Sequence, residues 1–177
     1  MAHVSDDPGR ILERAKAGDG HAFEQLLTPV LEVGFRLAMT MLNDRGIAED
    51  VVQEAALKAW RHLDRLRPDA PLRPWFLTVV ANECRSARRS RWWRVLRFPE
   101  ITSWRRPVGF EERMDLAAAL DRLPSYHLMA LSLYYHLDLP IPEVGRILGC
   151  SEGAARVRIH RALAALRPAM KLKEADA

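Results

Sequence analysis

The sequence predicts an all-α protein made of two small helical domains joined by a linker. Nearly half of its 177 residues are apolar but only 7% are aromatic, and a chain rich in alanine and leucine suits helices better than strands. Apolar residues recur at spacings of three and four through most of the chain, which is the period of a helix with one buried face. That period is lost over residues 92–112, where prolines and a glycine predict the linker.

The first predicted domain spans residues 8–91. Pro29 is expected either to lie within one helix or to break it into two, because proline removes a backbone hydrogen bond. A proline-containing loop over 67–71 separates the last two helices. Helices are expected over four segments: 11–17, 21–41, 47–66 and 72–91.

The helix predicted over 47–66 has two different faces. One face carries small and apolar residues that should be buried, namely Ala48, Val52, Ala55, Ala59 and Leu63. The other face carries Asp50, Gln53, Glu54, Leu57 and Arg61. An acid-and-amide strip with one exposed leucine suits a basic partner helix, although the pattern alone favours an ordinary solvated face.

The helix predicted over 72–91 carries a basic face. Asn82, Arg85 and Arg89 share that face at spacings of three and four, with Arg88 alongside, and Trp75 is expected in the core. Arginines that follow a backbone, close to aromatic side chains, are typical of proteins that bind single-stranded nucleic acid.

The second predicted domain spans residues 113–171 and ends in a helix-turn-helix within a four-helix arrangement. Its helices are expected near 113–122, 125–137, 141–148 and 152–170. Ser151 follows a glycine-containing turn and is a good N-cap for the last helix. That helix places several arginines on its outer side, and a basic helix of this kind fits the major groove of duplex DNA.

The distribution of charge supports one protein partner and one polyanionic partner. The net charge is only +4, yet residues 1–54 hold twice as many acidic as basic residues, whereas residues 82–106 hold eight arginines and two glutamates. No apolar run spans a bilayer and the start lacks a signal-peptide pattern, so we expect a cytoplasmic protein with no membrane insertion. Cys84 and Cys150 lack metal-ligand spacing, and neither a metal nor a cofactor is expected.

Two sets of motifs, in order along the chain, resemble the bacterial sigma-70 family of RNA polymerase sigma factors, and its extracytoplasmic-function (ECF) group most of all. The first set resembles region 2 of that family: Ala48–Ala55, Ala59–Arg61, Pro74–Asn82 and Arg88–Arg89. The second set resembles region 4: Ala119–Pro124, Leu131–Tyr135, Pro142–Gly149, Ser151–Gly153, Arg158 and Arg161–Arg167.

The resemblance implies a factor that binds core RNA polymerase, directs it to promoters and initiates transcription. Region 2 would contact the β′ clamp helices and the melted −10 element, and region 4 would bind the −35 duplex. The β subunit of the polymerase and a cognate anti-sigma factor are further implied partners.

The resemblance also implies a role for individual residues at three sites. Core polymerase binding falls to Asp50, Gln53, Glu54 and Leu57. Binding of −10 DNA falls to His62, Asn82, Arg85, Arg88 and Arg89. Binding of −35 DNA falls to Ser151, Glu152, Gly153, Ala155, Arg156, Arg158 and Arg161.

Two other functions compete with this interpretation. A stand-alone DNA-binding regulator explains the second domain but leaves the acidic helix and the arginine-rich helix without a role. An enzyme is disfavoured, because the sequence has no HExxH metal motif, no glycine loop for phosphate and no nucleophile elbow.

Overall fold

The computed structural model describes residues 7–67, 70–97 and 111–175, and no β-strand occurs within these ranges. The chain forms two compact units, Met1–Cys84 and Arg85–Ala177. The division falls inside a long helix.

Eight α-helices follow one another through the described ranges. A 3₁₀ turn, Leu63–Arg65, follows the third helix, and a π turn, Ser132–His136, continues the sixth. The all-α prediction is confirmed. The helices are α1 (Pro8–Lys16), α2 (Gly20–Leu42), α3 (Arg45–Arg61), α4 (Leu72–Arg97), α5 (Glu111–Arg122), α6 (Ser125–Leu131), α7 (Ile141–Leu148) and α8 (Glu152–Ala175).

Aspartates begin the first three helices. Asp19 Oδ1 accepts hydrogen bonds from the backbone N–H groups of His21 (3.0 Å) and Ala22 (3.1 Å), and Asp44 Oδ1 accepts one from Ile47 (3.0 Å). These bonds satisfy amides that have no partner within the helix. The hydrogen bond from Ala22 N–H and the one from Arg14 hold the pKa of Asp19 below its usual value.

Helix α2 runs through Pro29 without a break. Pro29 lies on the exposed side, whereas Leu27 and Val30 on either side of it are buried, as are Gly34 and Leu37 one and two turns later. A proline inside a helix costs roughly 3 kcal/mol, and burial of apolar side chains on both sides offsets that cost. The prediction of a single helix is therefore confirmed over that of a broken pair.

Three predicted helix ends were wrong. The last helix, expected to end near residue 170, continues to Ala175. The helix expected to end at residue 66 ends at Arg61, and the 3₁₀ turn that follows places Leu63 and Leu66 in a small core with Leu12 and Ala22. The helix expected to end at residue 91 continues to Arg97, so the first residues of the predicted linker are helical.

The later end of α4 has a sequence explanation. Residues 91–97 contain no glycine or proline, and the first proline after them is Pro99, which disfavours helix at the residue before it. The rest of the predicted linker, up to residue 110, lies outside the described residues.

The core of the second unit forms between α6, α7 and α8. Large buried side chains come from all three helices, and α8 adds small residues that let it approach the others closely. They include Leu128, Met129, Val144, Ile147, Ala155, Ile159, Ala162 and Leu166. The residues that α8 buries therefore determine which of its side chains face outward.

Candidate protein-binding and nucleic-acid-binding surfaces

The acidic strip of α3, defined as Asp50, Gln53, Glu54 and Leu57, lies opposite the buried side of the helix. The buried side holds Ala48, Val52, Ala55 and Ala59, as the helical period predicts. Asp50 and Gln53 are exposed, Glu54 is half-buried, and the Leu57 side chain is 52% exposed. An exposed leucine among acidic and amide side chains offers a protein partner both negative charge and an apolar contact surface.

An apolar groove lies beside the acidic strip, between α2 and α3. Gln53 belongs to both the strip and the groove, and carboxylates flank the apolar lining. The sequence did not predict this groove, because it depends on how two helices pack. The groove is lined by Leu27, Leu31, Glu32, Phe35, Glu49, Val52, Gln53 and Ala56.

Lys58 joins the acidic strip to α4. Its Nζ lies 2.7 Å from Glu83 Oε2 and 3.5 Å from Glu54 Oε1. The hydrogen bond that Lys58 donates to the Glu83 carboxylate is the main cause that raises the pKa of Lys58. Since Glu83 is next to Asn82, this ion pair connects the candidate protein-binding helix with the candidate strand-binding helix.

The predicted −10 residues of the first unit lie on its surface. His62 is the exposed C-cap residue of α3, and Asn82 is exposed on α4. Below Asn82, α4 packs closely on α2: a Cβ atom added at Gly34 would lie 2.9 Å from Phe76 Cε1. Glycine at this position lets α2 approach α4, which fixes where Asn82 emerges.

The predicted −10 arginines belong to the second unit and differ in exposure. Arg89 is exposed, whereas Arg85 and Arg88 are half-buried. Within this unit, Arg88 Nη2 donates to the backbone oxygens of Asp121 (3.2 Å) and Leu123 (3.4 Å). These bonds hold the Arg88 side chain at the C-terminal end of α5.

The turn between α7 and α8 is tight. Gly149 closes α7 with a left-handed φ of 63°, which favours glycine, and Cys150 N–H donates to Gly145 O at 2.9 Å. A Cβ atom added at Gly145 would lie 3.0 Å from Cys150 O. Ser151 Oγ accepts from Ala154 N–H at 3.2 Å, so it caps α8 as predicted.

The outward side of α8 carries most of the predicted −35 residues. Ser151, Glu152, Gly153, Arg156 and Arg161 are exposed, and Arg158 is half-buried. Ala155 is fully buried in the core, so the expectation that it faces the DNA groove was wrong. Val157, which was not among the predicted −35 residues, is 48% exposed beside it.

Two arginines of α8 are held in different ways. Arg156 Nη2 lies 2.9 Å from Glu152 Oε1, one helical turn earlier. The Arg158 guanidinium carbon lies 5.8 Å from the centre of the Tyr126 ring on α6, and this ring meets that of His127 edge-on at 4.3 Å. Burial, with further contributions from Arg161 and Arg158, lowers the pKa of His127.

Two family models match the chain: sigma-70 region 2 over residues 22–94 and sigma-70 region 4 over residues 113–166. The ECF RNA polymerase sigma factor SigL of Mycobacterium tuberculosis is 30% identical over 161 residues, which cover 86% of this chain and 91% of SigL. SigC, an ECF sigma factor from the same species, is 31% identical over 174 residues, 93% of each chain. This chain belongs to the sigma-70 family.

Solved structures of two other sigma factors resemble this one. RpoE of Bartonella quintana, solved with the anti-sigma factor NepR, gives a TM-score of 0.66 at 26% identity over 84% of this chain and 96% of its own. CnrH, solved with the cytosolic domain of CnrY, gives 0.68 at 27% identity over 97% and 100%. The sequence-based assignment to an ECF-type sigma factor that recognises promoters is confirmed.

The geometry of this sigma factor falls within the two matched regions. The acidic strip, the groove and the α4 residues lie in region 2, and the helix-turn-helix lies in region 4. Among the described residues, no cluster of His, Cys, Asp and Glu has the arrangement of a metal site. None of the described helices is both long and apolar enough to cross a membrane.

Proposed function

We propose that each charged surface of this sigma factor binds one partner of the transcription machinery. The acidic strip and the adjoining groove bind the β′ clamp helices of core RNA polymerase, with the β subunit as a further contact. His62, Asn82, Arg85, Arg88 and Arg89 bind the melted −10 strand. The outward side of α8 binds the −35 duplex from Ser151 to Arg161.

The observation that carries this proposal is the outer side of α8. Its arginines project from a helix whose other side is buried, and the helix is capped at Ser151 directly after a tight turn. A rigid basic helix of this kind places arginines against phosphates and base edges in the major groove. The candidate −10 residues and the outward side of α8 lie in different parts of the chain, which supports a promoter with two separate elements.

The groove supports the polymerase contact in region 2. An amphipathic helix buries its apolar side in a groove of this type and places its basic side chains beside carboxylates. Glu32 and Glu49 line the groove, and Asp50 is exposed on the next position of α3. A strongly acidic surface repels DNA, so this surface suits a basic protein.

The factor acts by binding and carries out no covalent step of its own. It works where core polymerase and the chromosome are, in the bacterial cytoplasm. We further propose a cognate anti-sigma factor, by analogy with RpoE bound to NepR and CnrH bound to CnrY. Such an inhibitor would compete with core polymerase for the acidic strip.

Multi-round transcription in vitro tests the proposal. Genomic DNA fragments are transcribed by core RNA polymerase with and without the full-length protein, and the 5′ ends of the transcripts are mapped. We expect new transcripts that start downstream of a shared pair of −35 and −10 elements. A failure to produce transcripts, together with tight binding to duplex DNA without core polymerase, would favour the stand-alone regulator.

A further inference from the structure

Arg158 has an unusual environment for an arginine that reads DNA. It is half-buried, and its guanidinium lies over the ring of Tyr126, which is itself 48% exposed on α6. The neighbouring Arg156 bonds instead to the Glu152 carboxylate on its own helix. The two arginines therefore leave α8 under different constraints.

The type of constraint matters for base recognition. A carboxylate that accepts hydrogen bonds from a guanidinium occupies some of its N–H donors. An aromatic ring attracts the cation through its face and leaves the N–H groups at the guanidinium edge free to bond elsewhere. A guanine edge requires two such donors in one plane, so an arginine whose guanidinium lies over a tyrosine ring keeps those donors for that contact.

His127 helps to fix the ring of Tyr126. The two rings meet edge-on, with centroids 4.3 Å apart and planes at 65°. His127 Nε2 is buried and has no hydrogen-bond partner among the described residues. A neutral imidazole here adds no third cation beside Arg158 and Arg161, so the Tyr126 face stays available to Arg158.

We infer that Tyr126 is a positioning residue that sets the sequence specificity of Arg158 at one base pair of the −35 element. This inference rests on the proposed binding of −35 duplex by α8. Tyr126 acts through its ring, because the ring face is what the guanidinium contacts. Loss of the ring frees the Arg158 side chain, which then contacts the correct base less often and tolerates other bases more.

The test measures how strongly the protein discriminates between base pairs of the −35 duplex, and not only how tightly it binds the duplex. Full-length protein with core RNA polymerase first selects its preferred −35 sequence from a randomised duplex library. Each base pair of that sequence is then substituted singly, and affinities are measured for the wild type and for four variants. The variants are Arg158→Ala, Tyr126→Phe, Tyr126→Leu and Tyr135→Leu.

The expected pattern is specific to one base pair. Arg158→Ala reduces discrimination there by about tenfold, and Tyr126→Leu reduces it at the same pair by about threefold. Tyr126→Phe keeps the ring and retains discrimination. Tyr135→Leu is the matched control, because Tyr135 is an exposed tyrosine of the same unit whose ring contacts Tyr134, and it should behave like the wild type.

Three outcomes would overturn the inference. One is a wild-type specificity profile for Tyr126→Leu, and another is a uniform loss across all sequences, which indicates a phosphate contact or a damaged domain. The third is an unchanged profile for Arg158→Ala, which removes the proposed base contact itself. Proton NMR of the free protein separates these failures: ring-current shifts of the Arg158 side chain should persist in Tyr126→Phe and disappear in Tyr126→Leu.

Discussion

Helices α3 and α8 are built alike on the inside and are opposite on the outside. Both bury fully covered alanines, Ala48, Ala55 and Ala59 in α3 and Ala155 and Ala162 in α8. Alanine has a high helix propensity and lets helices approach closely. The outward side of α3 is acidic with one exposed leucine, whereas that of α8 is basic with one exposed valine.

The comparison shows that burial and partner choice are set by different residues of the same helix. The alanines fix the rotation of each helix about its axis, and the rotation determines which side chains meet a partner. The sign of the outward charge then separates a basic protein partner from DNA. If this is correct, substitutions of the outward side chains that meet a partner should change binding far more than stability, and substitutions of the buried side chains should do the reverse.

The largest expected effect is on binding to core polymerase. The double charge reversal Asp50→Lys and Glu54→Lys should weaken that binding by about 30-fold or more, since loss of central interface residues costs about 2 kcal/mol or more. Affinity is measured with labelled sigma factor and purified core enzyme. Circular dichroism should show an unchanged helix content.

Glu13→Lys is the matched control for charge reversal. Glu13 is an exposed carboxylate of the same unit, on α1 rather than α3. Its reversal should leave core binding within about twofold of the wild type. Equal losses for both surfaces would mean that net charge, and not the acidic strip, governs the affinity.

The next largest effect is on stability and compares two glycines of the helix-turn-helix. Gly145→Ala should lower the free energy of unfolding by about 1–3 kcal/mol, because its Cβ meets the backbone oxygen of Cys150. Gly153→Ala should raise it by about 0.5–1 kcal/mol, because nothing lies within 4 Å of that Cβ and alanine favours helix. Urea unfolding of the full-length chain measures both, and changes of the same sign would contradict the close packing at Gly145.

The sequence predicted the helices and their buried sides more accurately than it predicted their ends. The period of apolar residues identified Ala48, Val52 and Ala59 correctly, because burial on one side of a helix is a local pattern. The predicted ends at residues 66 and 91 were wrong, since the two helices end at Arg61 and Arg97. The first depends on the core that Leu63 and Leu66 join, which is a tertiary property.

The candidate sites likewise contain some residues that the sequence predicted and some features that it did not. Asp50, Gln53 and Leu57 were found from the sequence, since their exposure follows from the helical period. The groove beside them and the placement of Arg158 over the Tyr126 ring depend on how two helices pack, which the spacing of residues within either helix does not predict. Ala155 was misplaced because the family resemblance assigned it to DNA binding, although its spacing from Ile159 and Ala162 puts it on the buried side of α8.

A smaller effect is expected at the ion pair that joins α3 to α4. Lys58→Met should lower the free energy of unfolding by about 0.5–1 kcal/mol, because it removes a bridge between two helices and leaves the largely buried Glu83 without that partner. Arg45→Met is the matched change, since the Arg45–Glu49 pair lies within α3 and is well exposed. Its cost should stay below about 0.5 kcal/mol in the same urea titration.

If Arg45→Met proves as costly as Lys58→Met, the α3–α4 bridge has no special contribution. The measurement is repeated at high salt to separate charge from packing. Salt should reduce the cost of the exposed pair more than that of the partly buried one.

The smallest expected effect is a difference between the two units in how their residues make stability depend on pH. His127 in the second unit has a pKa below its ordinary value of 6.5, because burial and two arginines disfavour its charged form. As the pH falls below about 6.5, the unfolded chain binds a proton that the folded chain resists, so stability decreases. The decrease ends once the folded imidazole is also protonated.

Asp19 in the first unit titrates in a lower range. Its pKa is held below the ordinary 3.8 by backbone and arginine hydrogen bonds, so its contribution is present above that pH and is lost as the pH falls through the lowered value. His127→Gln should therefore flatten the pH dependence of stability just below 6.5 and leave the acid range unchanged. Asp19→Asn should do the opposite, and urea unfolding between pH 7.5 and 3 measures both. A His127→Gln profile parallel to that of the wild type would show that His127 takes up its proton as readily in the folded chain as in the unfolded one, so that burial and the two arginines do not lower its pKa.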